Sequence, residues 1–471
     1  MSDDWPRDMG TVATLPEGPV TECPESVEAL LTEYTTYEST LPMHQATDTT
    51  ARLAIFNGNK VNPIHRWFPF KEGFSHGLFR WIVSTLGLQP SAYDRILDPF
   101  CGVGTSLLAA QLQLPAQTGT TLLGVEVNPF IKFVAETKLN WHSYDVERIR
   151  TLFPELLKPL DENEIGLSET PSLSTIRNPS VFSPSTVQQL LGYRDRIKRE
   201  CRDTPEVDFF LLGWAATIEK LSGVRRDGRA LRFVQKNGVP TVSEALNEQW
   251  SLMLADLQTV GVRHPSAPRP AQAIVHEGDG RELRIPDLEK DSVDLVVYSP
   301  PYLNNIDYTE VYKLELWMSG KITTSEEFLE LRRKTFRSHP SVRFPPTCIL
   351  DDYPEHQAHT LTSLLLESVP QDENQDWRQR LFKGYIDDML TSLGRQHDVC
   401  KPGAFVVCVV GNSMHGRKNH PIIIATDLIV ASLAHLAGFE LAQLQVTRQL
   451  RRRDHANRFL RETILVLRKP P

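Results

Sequence analysis

Short apolar runs alternate with longer helical patterns along much of the chain. YDRILDPF (93–100) is such a run, and the turn CGVGT and the helical stretch SLLAAQLQL follow it. TLLGVEVNPF (121–130) is a second apolar run, and IKFVAETKLNW after it again has helical spacing. This alternation is typical of β-α-β units, which build a parallel sheet covered by helices.

Three further apolar runs and a terminal pair extend the expected sheet. The runs cover 271–280, 292–302 and 403–412. Near the C-terminus, GFELAQLQVTRQL and RETILVLRK are joined by a basic loop with no helix between them. Two extended segments connected in this way predict an antiparallel hairpin at a sheet edge.

Two stretches interrupt the alternation, one helical and polar and one containing Pro and Arg with little periodicity. We interpret both as insertions on the core sheet, since loops at strand ends are where open α/β sheets bind ligands. The expected order is acidic tail, core, helical insertion, core, second insertion and core, with segments 1–45, 46–142, 143–270, 271–318, 319–375 and 376–471.

Charge is unevenly distributed along the 471 residues. Residues 1–40 hold nine acids and one Arg, which accounts for the whole net charge of −8. The remaining body is neutral overall and can still carry local basic surfaces. No run is apolar enough to span a bilayer, and the acidic start is unlike a signal peptide. We therefore exclude a membrane protein and expect a cytoplasmic location.

Chemically informative residues lie where the expected strands end. An acid beside glycines that allow close backbone approach, at the start of a helix, predicts a pocket for a small charged ligand. The turn lacks the Lys-Ser/Thr of a P-loop and the GxGxxG spacing of a dinucleotide site. The candidate residues in this turn are Asp98, Pro99, Phe100, Gly102, Gly104 and Thr105.

Two more acids end later strands. Glu126 closes GVEVNP, where a carboxylate can accept both hydroxyls of a ribose. Asp279 lies in EGDGRE, at the end of the third expected strand, and is placed to accept from an exocyclic amine. Three acids at three successive strand ends are better explained by a shared ligand site than by chance.

The tetrapeptide Ser299-Pro300-Pro301-Tyr302 ends the run DLVVY. The two prolines fix the backbone and remove two N–H donors, so its carbonyl groups are available as acceptors. The serine hydroxyl and the tyrosine ring provide a further acceptor and a surface on which a planar base can stack. The six cysteines are widely spaced, without a zinc pattern, so no metal site is predicted.

Together, DPFCGVGT, the later Glu, GDGR and SPPY resemble an S-adenosylmethionine-dependent DNA amino-methyltransferase, and SPPY resembles the cytosine-N4 type. The likeness covers about half of the chain, and it makes the first insertion a candidate for target recognition and the second a candidate for DNA contact. It implies a seven-stranded, Rossmann-like class I methyltransferase sheet with an antiparallel C-terminal hairpin and helical insertions.

The resemblance also assigns cofactor roles. In that family the first turn binds the methionine part of S-adenosyl-L-methionine, which implies this role for the turn from Asp98 to Thr105. Glu126 inherits the contact with the ribose hydroxyls. Asp279 inherits the contact with the adenine amine.

The resemblance implies a catalytic role for the SPPY tetrapeptide. Ser299 and the Pro300 carbonyl would accept from the target amine, and Tyr302 would stack on a base flipped out of double-stranded DNA. A cytosine-C5 enzyme would need a Pro-Cys nucleophile, and no such dipeptide occurs in the chain. The implied setting is restriction-modification or phage defence, where a cognate restriction endonuclease can be a partner.

Several alternatives share this pocket chemistry. Adenine-N6 DNA methyltransferases use the same arrangement, and only Ser299 in place of Asp favours cytosine. An RNA base methyltransferase, a protein-glutamine methyltransferase and a non-catalytic methyltransferase-like nucleic-acid-binding subunit also stay open. Candidate phosphate contacts lie in three basic clusters, at 220–236, 331–344 and 448–461.

Overall fold

The computed structural model describes residues 25–70, 73–89, 93–114, 119–227, 230–261, 270–341, 344, 348–417, 420–450 and 457–471. The first half contains α1 Glu25–Glu38, β1 Met43–His44, α2 Gly77–Thr85, β2 Arg95–Asp98, α3 Thr105–Gln113, β3 Thr121–Glu126, α4 Pro129–Leu139, α5 Val146–Leu156, α6 Ser174–Arg177, α7 Pro184–Glu200, α8 Glu206–Leu221, β4 Val224–Asp227, β5 Ala230–Phe233 and α9 Val242–Gly261. The second half contains β6 Gln272–Glu277, β7 Val293–Tyr298, α10 Tyr308–Val311, α11 Lys313–Met318, α12 Ser325–Lys334, α13 Gln357–Glu367, α14 Gln375–Val399, β8 Cys400–Gly411, β9 Ser413–Arg417, β10 His420–Ile424, α15 Thr426–Leu436, β11 Glu440–Gln449 and β12 Arg461–Arg468.

A central sheet has the strand order β1-β11-β12-β8-β7-β2-β3-β6. Strands β8, β7, β2, β3 and β6 pair in parallel, whereas β12 pairs antiparallel with both β8 and β11. The Rossmann-like class I methyltransferase fold predicted from the sequence is therefore confirmed, including its C-terminal hairpin. The sheet has eight strands rather than the expected seven, because the two-residue β1 pairs with β11 as an additional edge strand.

The inner strands are buried on both faces, as expected for a parallel sheet between helices. Along β7, Leu295 and Val297 join one hydrophobic cluster, and Val296 and Tyr298 join the cluster on the opposite side. Since successive side chains of a strand point to opposite faces, this short run supplies both cores. Helices α3, α4, α8 and α9 cover the first face, and α13, α14 and α15 cover the second.

The first insertion belongs to the body of the fold. It is mostly helical, as its pattern predicts, and its helices share one hydrophobic cluster with β7 through large side chains such as Phe209, Trp214 and Trp250. The small antiparallel pair β4–β5 interrupts the helices. Whether this insertion reads the target sequence stays a prediction.

Helix α1 lies within the segment 1–45 that was predicted to be an acidic tail. Residues 1–24 lie outside the described structure, but α1 packs on α13 and α15 through Val27, Leu30 and Tyr34, which are buried. At the end of α1, Glu38 pairs with Arg458 at 2.7 Å and with Arg461. The acidic residues of α1 therefore surround an apolar stripe that packs on the core, and the boundary of the tail stays a prediction.

Deleting α1 should therefore destabilise the whole body. A Tyr34→Ala substitution should lower the free energy of unfolding by about 3 kcal/mol, the usual cost of emptying an aromatic site. Urea titration followed by circular dichroism measures this loss. The exposed Thr36→Ala on the same helix is the control, and equal stability of the two variants would show that α1 is dispensable.

Among the described residues, no helix is both long and apolar enough to cross a membrane.

Candidate cofactor and substrate site

One cavity opens at the carboxyl ends of β2, β3, β6 and β7. Parallel strands bring their carboxyl ends to the same edge, so residues distant in sequence meet there. The predicted site residues that line the cavity are Pro99, Phe100, Gly102, Glu126, Asp279, Ser299, Pro300 and Pro301. Asp98, Gly104, Thr105 and Tyr302 lie just outside its lining.

The buried carboxylate of Asp98 stabilises the first turn. It accepts a hydrogen bond from the backbone N–H of Phe100 at 3.0 Å and another from the hydroxyl of Ser106. Burial raises the pKa of Asp98 to about 7. The side chain thus holds the turn that carries Phe100, and its role toward the methionine part of the cofactor stays a prediction.

The glycines of this turn are required by its backbone. Gly102 and Gly104 have φ of +51° and +77°, in the left-handed region that side chains disfavour. Gly104 immediately precedes α3 and packs against Ala135 of α4. Gly102 donates its N–H to Glu126 at 3.1 Å, so the turn and the second strand are tied together.

Glu126 lies at the centre of the cavity wall. One carboxylate oxygen accepts from Gly102, and the other accepts from the backbone N–H of Asn128 at 2.8 Å. Each carboxylate oxygen has a second acceptor site, so the pair can still receive two hydroxyl groups. Burial raises the pKa of Glu126 to about 7. Its geometry fits the vicinal hydroxyls of a ribose.

Asp279 is held by an arginine that the sequence argument overlooked. Arg281 donates to both Asp279 oxygens, with Nε 2.9 Å from each, and also to Asp388 at 2.9 Å. The burial of this guanidinium lowers its pKa, but its two carboxylate partners more than compensate, so Arg281 is charged. Asp279 can contact an adenine amine only with acceptor sites that Arg281 does not use.

The SPPY tetrapeptide separates two cavities. Ser299, Pro300 and Pro301 line the first cavity, whereas Tyr302 lines a second, which also contains Phe56, Asn304, Arg448 and Glu462. Tyr308 contributes to both. The two spaces therefore meet at the loop between β7 and α10.

The hydroxyl of Ser299 has a fixed orientation. It donates to the backbone carbonyl of Val409 at 2.9 Å and lies 3.2 Å from the Tyr302 hydroxyl. Because its single hydrogen is directed at β8, only its lone pairs are available to a third group. Ser299 is thus set up as a hydrogen-bond acceptor.

Tyr302 packs under strand β8. A Cβ on Gly411 would lie 2.8 Å from Cε2 of the Tyr302 ring, closer than packed atoms come. Gly411→Ala should therefore displace the ring and weaken the affinity for an extruded base at least about tenfold, since overpacking costs on the order of 1–3 kcal/mol. Cofactor affinity, measured by calorimetry, should not change. Equal affinities of the variant and the native protein for the base would contradict this packing role.

Several residues that line the first cavity do not belong to the motifs found in the sequence. Phe70 comes from the segment before the first strand, and Lys334, Thr335, Phe336, Ser338 and His339 come from the second insertion. This insertion was predicted to contact DNA, and in the structure it also lines the first cavity. Phe336 makes an edge contact with Phe100 of the first turn, with ring centroids 5.6 Å apart. No local pattern distinguishes these residues of the second insertion from an ordinary loop.

The known proteins that are similar to this chain in sequence include Type II methyltransferases. No protein-family model matches the chain. The Type II methyltransferase M.AvaI of Nostoc sp. is 24% identical over 89% of this chain and 89% of its own. M.BsoBI of Geobacillus stearothermophilus, also a Type II methyltransferase, is 23% identical over 84% of this chain and 83% of its own.

Solved structures give weaker matches. A SAM-dependent methyltransferase from Methanosarcina mazei is 10% identical and covers 82% of this chain and 97% of its own, with a TM-score of 0.28. A Thermus thermophilus chain in complex with S-adenosyl-L-methionine is 16% identical over 41% of this chain and 52% of its own, with a TM-score of 0.22. By sequence, the chain is similar to Type II methyltransferases over almost nine tenths of its length.

Proposed function

We propose that the chain is an S-adenosylmethionine-dependent DNA methyltransferase of the Type II kind and that its target is the exocyclic N4 of cytosine. The main support is the junction of two cavities at Ser299-Pro300-Pro301-Tyr302. One cavity suits the cofactor and the other suits a flipped base, and the acceptors lie between them. The Type II methyltransferases similar to this chain support the DNA reaction.

The first cavity has the shape and the donor set for S-adenosyl-L-methionine. Gly280 packs so tightly that a Cβ there would lie 2.2 Å from the Pro99 carbonyl oxygen, which leaves a narrow cradle for a flat ring. Glu126, Asp279 and Phe100 all line this cavity. In the proposed complex, Glu126 contacts the ribose, and Asp279 and Phe100 flank the adenine. When bound, the cofactor supplies an electrophilic methyl group on a sulfonium sulfur.

The second cavity accepts the target base. Tyr302 and Phe56 provide aromatic surface, which replaces the stacking that a base loses when it leaves the duplex. Ser299 and the Pro300 carbonyl then accept the hydrogens of the target amine. This draws the nitrogen lone pair out of conjugation with the ring and directs it toward the first cavity. Alignment of the two reactants contributes most of the rate.

The polar groups of the second cavity favour cytosine. Arg448 is paired with Glu462, and its side chain is 40% exposed, so a guanidinium edge is available to a ligand. Cytosine has two adjacent acceptors beside its amine, N3 and O2, whereas adenine has only N1 on that edge. A two-donor guanidinium therefore matches cytosine better.

The ionisation of Glu126 predicts a pH dependence of cofactor affinity. Its pKa is raised to about 7 by burial, and ribose hydroxyls donate to the charged form. Affinity for S-adenosyl-L-methionine should consequently rise from pH 6 to pH 8, with about a tenth of the carboxylates charged at pH 6. Calorimetry across this range should show a flatter profile for Glu126→Gln than for the exposed control Glu277→Gln. Matching profiles for the two variants would exclude Glu126.

Methylome sequencing of a host with and without the gene tests the proposal. We expect N4-methylcytosine at one short recognition sequence, and only in cells that carry the gene. N6-methyladenine instead would keep the enzyme class and change the target base. An unchanged methylome, with methylated RNA or protein, would overturn the DNA substrate.

A further inference from the structure

The β4–β5 hairpin has two different faces. Val224 and Arg226 point inward and are buried, while Arg225 and Asp227 alternate with them and are exposed. Arg225 pairs directly across the hairpin with Arg232, which is also exposed. The outer face therefore carries two arginines in opposite register positions.

Such a pair is unfavourable in the isolated protein. Like charges directly opposite on an antiparallel pair repel each other. Arg232 has one exposed acid within reach, Asp227, at 3.3 Å. A polyanion that binds both arginines would remove the repulsion.

Several arginines of the other two basic clusters pair with acids of the body. In the cluster 331–344, Arg332 pairs with Asp307 at 3.2 Å, and Arg337 pairs with Asp388 at 2.7 Å. In the cluster 448–461, Arg461 pairs with Asp427 at 2.7 Å, and residues 451–456 lie outside the described structure. On the hairpin, Arg225 and Arg232 are both exposed and lie opposite each other on one face.

The inner face anchors the hairpin to the active site. The buried Arg226 contacts Glu219 at 2.9 Å and also pairs with the buried Glu315 of α11. Its guanidinium lies 4.6 Å from the ring centroid of Tyr312. Strand β5 also lies against α10, the helix that follows SPPY.

A stack of aromatic rings connects Arg226 to the two cavities. Tyr312 stacks on Phe70 with centroids 5.5 Å apart and planes at 14°, and Phe70 stacks on Tyr308 at 6.5 Å and 17°. Phe70 lines the cofactor cavity, and Tyr308 lines both cavities. Movement of the hairpin would therefore shift Arg226 and, through Tyr312, the cavity wall.

We propose that the β4–β5 hairpin is an arm that binds the DNA backbone through Arg225 and Arg232, and that Arg226 couples its position to the aromatic wall of the cofactor cavity. This inference rests on the proposed DNA substrate. Paired phosphate contacts on a β-ribbon fix the register of a duplex without reading its sequence. DNA and cofactor should consequently bind cooperatively.

The first test measures the salt dependence of DNA binding. The Arg225→Gln/Arg232→Gln variant should lower the magnitude of the log–log salt slope by about 1.8, since each phosphate contact contributes about 0.9. The control is Arg202→Gln/Arg284→Gln, whose side chains are both 82% exposed and lie beside acids. An unchanged slope in the hairpin variant would overturn the arm. Absence of DNA binding by the native protein would instead refute the proposed function.

The second test measures the coupling. Calorimetry should show that a duplex tightens S-adenosyl-L-methionine binding to the native protein by about fivefold or more. Arg226→Lys keeps the charge but loses the planar stacking group, so this gain should disappear while DNA binding remains. If that variant does not fold, Tyr312→Leu breaks the same stack. A full gain in either folded variant would contradict the coupling.

Discussion

Gly280→Ala is expected to weaken S-adenosyl-L-methionine binding by at least about tenfold, because overpacking costs on the order of 1–3 kcal/mol. The added Cβ would lie 2.2 Å from the Pro99 carbonyl oxygen and 2.6 Å from the Phe100 ring. These atoms belong to the turn that forms one wall of the cofactor cavity. Any shift of these atoms that relieves the contact would change the wall of the cavity.

Gly394→Ala is the control for this prediction. Gly394 lies in α14, outside the lining of the cavity, and its added Cβ would meet no atom of another element within 4 Å. Thermal melts should show both variants folded, with binding lost only in Gly280→Ala. Equal affinities for the two folded variants would contradict the assignment of this cavity to the cofactor.

Ser299→Ala is expected to lower the single-turnover rate of methyl transfer on the order of 100-fold, the usual effect of losing one group that stabilises charge in the transition state. Its hydroxyl hydrogen is fixed on Val409 at 2.9 Å, so the substitution removes an acceptor rather than a donor. Cofactor affinity should change little. Ser292→Ala is the control, since Ser292 lies just before the opposite end of β7 and donates to Glu289 at 2.7 Å.

Tyr302 should act on base binding rather than on the rate of transfer. Tyr302→Ala should lose about 1–3 kcal/mol of affinity for an extruded base, whereas Tyr302→Phe should keep most of it because the ring remains. Binding to a duplex with an abasic site opposite the target separates base extrusion from stacking. A rate loss without an affinity loss in Tyr302→Ala would assign this residue to the amine instead.

The polar residues at the strand ends could be predicted as a site because their signal lies within short stretches of sequence. An apolar strand followed by an acid and two glycines predicts a turn at a sheet edge, and the structure has that turn. Glu126 and Asp279 follow the same rule and reach the same cavity.

Contacts between distant segments could not be predicted in this way. Arg281 donates to Asp388, which lies 107 residues later in the sequence, so this contact has no local signal. Helix α1 had a readable signal, since Val27, Leu30 and Tyr34 lie on one face, but the surrounding acids suggested a solvated tail. Strand β1 has only two residues, too few for a periodic pattern.

The most direct measurement is mass spectrometry of nucleosides from DNA incubated with the purified protein and methyl-labelled S-adenosyl-L-methionine. The account predicts label in N4-methyl-2′-deoxycytidine, and loss of that label in Ser299→Ala. Label only in N6-methyl-2′-deoxyadenosine would contradict the assignment of cytosine. Unlabelled DNA, under conditions where the cofactor is shown to bind, would contradict the account as a whole.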